Sequence, residues 1–183
     1  MKLIMINVLK RWIKRLTSRK KGTTTKIGWV CKNSPKGFVM VEQYIIWLQS
    51  RGFHPDDLEC RGLNGNTPLL LAALEGNAMM VARLIEAGAN LYAINNDYNG
   101  VLFNACYASS PEVIRLLVEA GADINDTNEE GTTALMYAAS ASRVECVKML
   151  LSLGADTTLQ NEDGFSAIEL TSNRDVFNQL RSA

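Results

Sequence analysis

The chain has 183 residues, 47% hydrophobic and 21% charged, which is enough apolar material for one packed domain and too much for a disordered chain. Its formal net charge of zero hides two unlike parts. Residues 1–41 carry eleven Lys and Arg and no acid, whereas the remainder sets eight Lys and Arg against nineteen Asp and Glu, so a +11 arm precedes a −11 body. The cysteines Cys31, Cys60, Cys106 and Cys146 lie 29, 46 and 40 residues apart, a spacing that fits neither a zinc site nor a disulfide scaffold and points to a reducing compartment.

The first segment, residues 1–22, reads as a basic amphipathic helix. Met5, Ile6, Leu9, Trp12, Ile13 and Leu16 share one face, and Lys10, Arg11, Lys14 and Arg15 share the other. The apolar run Leu3 to Leu9 is short, is broken by Asn7, and is followed by cations instead of a cleavage site, so a secretory signal is a poor match. No stretch is long enough to span a bilayer. Three roles for this arm stay open. It lies on an anionic membrane surface through Lys10, Arg11, Trp12, Lys14 and Arg15; it docks on a partner or on the chain's own acidic body; or it is a cleaved organelle presequence. Met40-Val41-Glu42 also reads as a domain opening, giving a second candidate start.

Residues 23–40 form a polar linker around the turn signal Asn33-Ser34-Pro35-Lys36-Gly37. From Val41 the pattern turns helical, with Tyr44, Ile45, Trp47 and Leu48 on one side and Gly52 as a stop. Beyond it, the stretch from Gly65 to Gly88 lands on itself when moved forward by 33 residues. Leu69 meets Leu102, Leu135 and Ile168; Ala72 meets Ala105 and Ala138; Gly88-Ala89-Asn90 recurs as Gly121-Ala122-Asp123 and Gly154-Ala155-Asp156. A fixed period of this length marks stacked supersecondary units. Each unit opens on a turn with Gly65, Gly131 or Gly164. Its second helix carries one apolar stripe, such as Val81, Leu84 and Ile85.

The middle unit departs from this pattern. Tyr98 replaces the turn glycine, Gly100 the helix-opening Thr and Val101 the Pro68, so the start of its first helix is expected to be frayed or reshaped. Ser110-Pro111-Glu112 is expected to compensate as N-cap, first-turn proline and acid near the positive helix end. Cys106 aligns with Ala73 and Cys146 with Met80, so both are expected in the core.

Gly65-Asn66-Thr67-Pro68-Leu69-Leu70-Leu71-Ala72-Ala73 resembles the turn-plus-helix opening of the ankyrin repeat family, Gly-x-Thr-Pro-Leu-His-x-Ala-Ala. The family's His is absent throughout, its place taken by Leu70, Phe103, Met136 and Glu169. The resemblance implies an all-α ankyrin repeat solenoid of stacked helix-turn-helix units with capping helices at both ends. Residues 41–61 would be the N-terminal cap, 62–94, 95–127 and 128–160 the full repeats, and 161–183 a C-terminal partial repeat.

No phosphate loop, nucleophile elbow or metal-ligand spacing is found, and the single histidine, His54, stands in a loop beside Pro55. The acidic pairs Asp56-Asp57, Glu129-Glu130 and Glu162-Asp163 are adjacent on turns and point apart, which is poor geometry for paired acid and base work. No enzyme activity, metal or cofactor is expected. The resemblance implies protein binding instead, on a concave surface made by turn tips and first helices. Carried over position by position, the tips are Leu63, Asn64 and Asn66; Asn96, Asp97 and Asn99; Glu129, Glu130 and Thr132; and Glu162, Asp163 and Phe165. The helix positions are Leu74 with Glu75, Tyr107 with Ala108, and Ser140 with Ala141. That surface is rich in acids and amides, with Leu74, Tyr107 and Phe165 as anchors, so a basic segment of a protein partner is expected there. The resulting expectation is a cytoplasmic, monomeric, non-catalytic adaptor or regulator without nucleic-acid partners. The alternative is a peripheral membrane scaffold at the inner membrane face, recruited by the N-terminal helix. A third reading lets the basic arm occupy the acidic groove until a partner displaces it.

Overall fold

The structure is a computed structural model that describes residues 35–183, with side chains from Gln43 onward. The basic segment with Lys10, Arg11, Trp12, Lys14 and Arg15, most of the linker, and Cys31 lie outside the described residues. Nine α-helices run in order among those that are described: α1 Pro35–Ser50, α2 Pro68–Leu74, α3 Ala78–Glu86, α4 Val101–Tyr107, α5 Pro111–Glu119, α6 Ala134–Ser140, α7 Val144–Ser152, α8 Ala167–Leu170 and α9 Arg174–Ser182. The 33-residue period is visible in this order, since α2, α4 and α6 are the short first helices and α3, α5 and α7 the longer second ones. First helices pack on first helices and second on second, giving two layers. The only β pairing among the described residues is an isolated bridge between Thr127 and Thr133.

Helix openings follow from local chemistry. Pro68 stands in the first turn of α2, and the Thr67 hydroxyl accepts the Leu70 N–H at 3.3 Å, satisfying a donor that the helix start leaves free. Thr133 does the same for Met136, and the Met136 sulfur in turn accepts the Thr133 N–H at 3.4 Å. In the partial repeat, the Glu169 carboxylate takes the Ser166 N–H at 2.8 Å. The residues at the family's His position therefore reach back to the cap in two of the units, each by its own chemistry.

The middle unit corrects two expectations. Helix α4 starts in register at Val101 and is as long as α2 and α6, so it is not frayed, although its cap residue Gly100 offers no side-chain bond. Tyr98 keeps the turn by adopting φ +59°, the left-handed conformation that Gly65 (+68°), Gly131 (+68°) and Gly164 (+83°) adopt at the equivalent positions. A residue with a Cβ holds that conformation at a cost of about 1–3 kcal/mol. Ser110 stands at the N-cap of α5, but its hydroxyl makes no capping bond; Pro111 and Glu112 supply the opening alone.

Packing joins the units into one core. Leu69, Leu84, Ile114, Leu117, Leu135 and Leu150 are fully buried, as are the aligned alanines Ala72, Ala105 and Ala138. Each large side chain contributes about 1.5–3 kcal/mol by leaving water, and the small alanines let neighbouring first helices approach.

Helix α1 covers the leading edge of the stack. It begins at Pro35 instead of Val41, so residues 35–40, read as linker, are helical; proline is well suited to a first helical turn because its missing N–H is not needed there. Its seal is specific. Trp47 and Leu48 are buried, and Trp47 Nε1 donates to Glu75 at 3.1 Å. The Arg51 guanidinium clasps the same carboxylate with two bonds of 2.8 and 3.1 Å and lies 5.0 Å from the Trp47 ring centre. At the far end α9 packs on α7 and α8, burying Val176 and Leu180.

Replacing Tyr98 with glycine should raise the unfolding free energy by about 1 kcal/mol in urea titrations, because the turn strain disappears. Burial pushes the Tyr44 phenol up to about 12 from 10.0. A phenol that stays neutral longer in the folded chain stabilises fully below about pH 10, and that contribution is lost as pH rises towards 12. Tyr44→Phe should flatten the decline in melting temperature over that window.

Candidate binding surface

Four turn tips stand in a row beside the first helices, and their shape is set by the backbone. In each, a backbone N–H closes the turn on a carbonyl four residues on: Gly62 to Asn66 at 2.9 Å, Asn95 to Asn99 at 3.2 Å, Asn128 to Thr132 at 3.1 Å and Asn161 to Phe165 at 3.0 Å. In three of them an asparagine side chain fills the turn from inside. Asn95 Oδ1 accepts from Asp97 (3.0 Å) and Asn99 (2.9 Å), Asn128 Oδ1 from Glu130 (3.1 Å) and Thr132 (2.9 Å), and Asn161 Oδ1 from Phe165 (2.8 Å). Gly62 takes that place in the first tip, where a Cβ would meet the Phe53 ring at 2.8 Å.

Neighbouring tips are also joined. The Asn96 N–H donates to the Asn64 carbonyl at 3.0 Å, and the Glu162 N–H to the Glu130 carbonyl at 3.1 Å. No such bond joins Asp97 to Glu129 among the described residues. That junction holds a shallow cleft beside Tyr92, Gly100, Phe103, Asp123 and Asp126, with room for about one water.

The expected site residues divide into two groups. Asn96, Asp97, Glu129, Glu130, Glu162, Asp163, Phe165 and Tyr107 are exposed, with Tyr107 at 60%, while Leu74 and Thr132 are half-buried. Asn64 is exposed, but its amide donates to the Asp97 carboxylate. Two expectations are corrected. Asn66 is only 4% exposed, with its amide bonded to the Leu63 carbonyl and to Asn95, so it holds the turn together and offers nothing to a partner. Glu75 spends both carboxylate oxygens on Arg51 and Trp47, which makes it part of the seal between α1 and α2.

Leu63, expected at the first tip, is 93% exposed. Two other surface residues were missed: Ile94 and Tyr98 add apolar area beside the tips. Their signal was the presence of apolar side chains at turn positions where other units carry Arg, Thr, Gln or Gly. The asparagines Asn95, Asn128 and Asn161 recur at the 33-residue period and could have been found from it.

On the first helices the groove is aromatic between the second and third units. The rings of Phe103 and Tyr137 lie 4.5 Å apart, tilted by 32°. Burial pushes the Tyr137 phenol up, the positive charge of Arg143 opposes it, and the nearby Tyr107 adds to the rise. Behind them Cys106 and Cys146 are buried free thiols, as expected; the neighbouring Cys146 thiol, together with burial, pushes the Cys106 thiol well above its usual range. His54 is exposed, and no group of three His, Cys, Asp or Glu among the described residues is placed to hold a metal.

A family model for ankyrin repeats in three copies matches residues 31–128 and again 90–161. The chain belongs to the ankyrin repeat family. Among solved structures it is similar to the ankyrin repeat domain of Bcl-3, described as a unique member of the IkappaB protein family, with 29% identity and a TM-score of 0.64. That match covers 70% of this chain and 58% of the Bcl-3 chain, so this protein spans little more than half of that domain's length. In all, 505 solved chains match, so the fold alone selects no single partner. No curated protein matches. Ankyrin repeats generally mediate protein–protein interaction.

Asn128→Ala should free the Glu130 and Thr132 amides, at a cost of about 1–3 kcal/mol. Hydrogen exchange should accelerate at those two amides while the amides of Leu117 and Leu150 keep their protection.

Proposed function

We propose that this ankyrin repeat protein is a non-catalytic adaptor or regulator that holds a basic segment of a partner protein across its tips. The observation that carries the reading is the state of the tip acids. Asp97, Glu129, Glu130, Glu162 and Asp163 are exposed, and none is in an ion pair among the described residues. The cations Arg51 and Arg115 are instead taken by Glu75, Glu112 and Glu119, away from the tips. Arg61 stands at the first tip, where its guanidinium donates to the Gly65 and Ile94 carbonyls and pairs with no acid among the described residues. Like charges gathered in excess raise the free energy of the unbound surface and attract a cationic partner over a distance set by the ionic strength.

Apolar area stands among these acids. Leu63, Tyr98, Tyr107 and Phe165 offer the contacts from which binding energy comes, while the acids govern approach and register. A fixed, bonded backbone at the tips supports the same role, because little ordering remains to be done on binding. Among the described residues no helix is long and apolar enough to cross a membrane.

Affinity capture with the full chain tests the reading. Wild type should retain proteins that are released as salt rises from about 0.05 to 0.3 M, and Glu129→Lys with Glu130→Lys should lose them by tenfold or more. A captured set that is indifferent to both salt and charge reversal would refute it.

A further inference from the structure

The groove has a second pole. Arg143 follows α6 and stands at the N-cap of α7, whereas the acids Glu129 and Glu130 precede α6. Seven residues of helix separate the two ends, a span of about 10 Å at 1.5 Å per residue. Between them lies the aromatic part of the groove, where Phe103 packs on Tyr137 and Tyr107 stands exposed at the end of α4.

Arg143 is a cation without a carboxylate. No ion pair involves it among the described residues, and its buried Nε has no hydrogen-bond partner. A buried donor left unsatisfied is costly, and more so where the group is charged. The groups its charge acts on carry no carboxylate: the Tyr137 phenol, on which Tyr107 also acts, and the Cys106 and Cys146 thiols. Glu145, on the first turn of α7, is exposed and is in no ion pair with Arg143; the two charges act in opposite senses on the Cys146 thiol. A guanidinium with no carboxylate of its own, next along the groove from an aromatic pair, suits a carboxylate carried next to an apolar or aromatic side chain.

We propose that Arg143, with Tyr137 and Tyr107, is a carboxylate-binding subsite, so that the partner segment is bipolar: basic where it crosses the tips and acidic about 10 Å further along the groove. This rests on the reading of the tips as a site for a basic segment, and it adds a polarity that the tips alone do not impose. A purely basic segment would bring its charge against Arg143 and be disfavoured, whereas a bipolar segment fits in one orientation only.

A random twelve-residue peptide library panned against the full-length chain tests both poles separately. Peptides selected by wild type should be enriched about threefold or more in Lys and Arg, and likewise in Asp and Glu, with the two kinds segregated to opposite halves. Arg143→Gln should keep the basic enrichment and return the acids to their frequency in the unselected library. Glu129→Gln with Glu130→Gln should do the reverse, keeping acids and losing bases. Circular dichroism and melting temperature, matched to wild type, establish that each variant is folded. Should Arg143→Gln unfold, Tyr107→Phe, which removes only a hydroxyl, should halve the acid enrichment. Equal acid frequencies in the wild-type and Arg143→Gln selections would overturn the subsite while leaving the tip reading intact. Loss of basic enrichment in wild type with the acids retained would do the opposite.

Discussion

One helical hairpin of this chain cannot cover its own apolar stripe. The stripe of α5, with Val113, Ile114 and Leu117 buried, disappears from water only because α3 and α7 lie on either side of it. That dependence explains most of the architecture. Alanine recurs at 72, 105 and 138 because first helices must come close. The two ends of the stack, having a neighbour on one side only, need different chemistry from the middle. The leading end uses α1 and a bidentate Arg51 to Glu75 pair backed by Trp47; the trailing end uses α9, whose exposed residues are largely polar. A pair whose side chains are each about a third exposed is worth little as an isolated contact. Here its value is positional, since it fixes the angle at which an entire covering helix meets the first unit.

The fold was legible because its determinants repeat. A single Leu69 means little, but Leu69, Leu102 and Leu135 at equal spacing give the register, and Gly88, Gly121 and Gly154 mark where each second helix ends. What escaped reading was conformational tolerance. Three departures at Tyr98, Gly100 and Val101 suggested a damaged helix, yet the packing of Leu102, Ala105 and Cys106 holds α4 in place and Tyr98 absorbs the strain in its own backbone. Tertiary burial outweighs a turn penalty of a few kcal/mol, and sequence reasoning about a local motif has no access to that comparison. The start of α1 escaped for a related reason: Asn33-Ser34-Pro35-Lys36-Gly37 carries turn chemistry, and proline serves a helix start as readily as a turn.

The surface was legible only in outline. Position within the repeat identified the tip acids and Tyr107, which are exposed. It could not tell that Asn66 turns inward to meet Asn95, or that Glu75 is taken by a residue 24 positions earlier. Both are polar residues at positions where polarity was read as exposure. The distinction lies in bonding partners from other units, which periodicity does not encode. Arg143 shows the same limit from the other side: it looks like an ordinary helix-start residue, and its character comes from a buried Nε without a partner and from its place beside the aromatic pair of Phe103 and Tyr137.

The physical character of the surface follows from how the tips are held. Each turn closes on its own backbone, and in three of the four an asparagine oxygen fills the centre, so the neighbouring side chains at the tip are largely free to point outward. Charge can then collect there at little cost to folding, because water screens the acids and no core group depends on them. In the groove between the second and third units the opposite holds. Phe103, Tyr137 and Arg143 are packed, partly buried and tied to the core through Cys106 and Cys146, so a change there is felt by the fold as well as by a partner. Binding groups built into packing have fixed positions and so confer register, whereas groups on turns confer attraction. A recognition surface that combines the two can draw a partner in by charge and then accept it in one orientation.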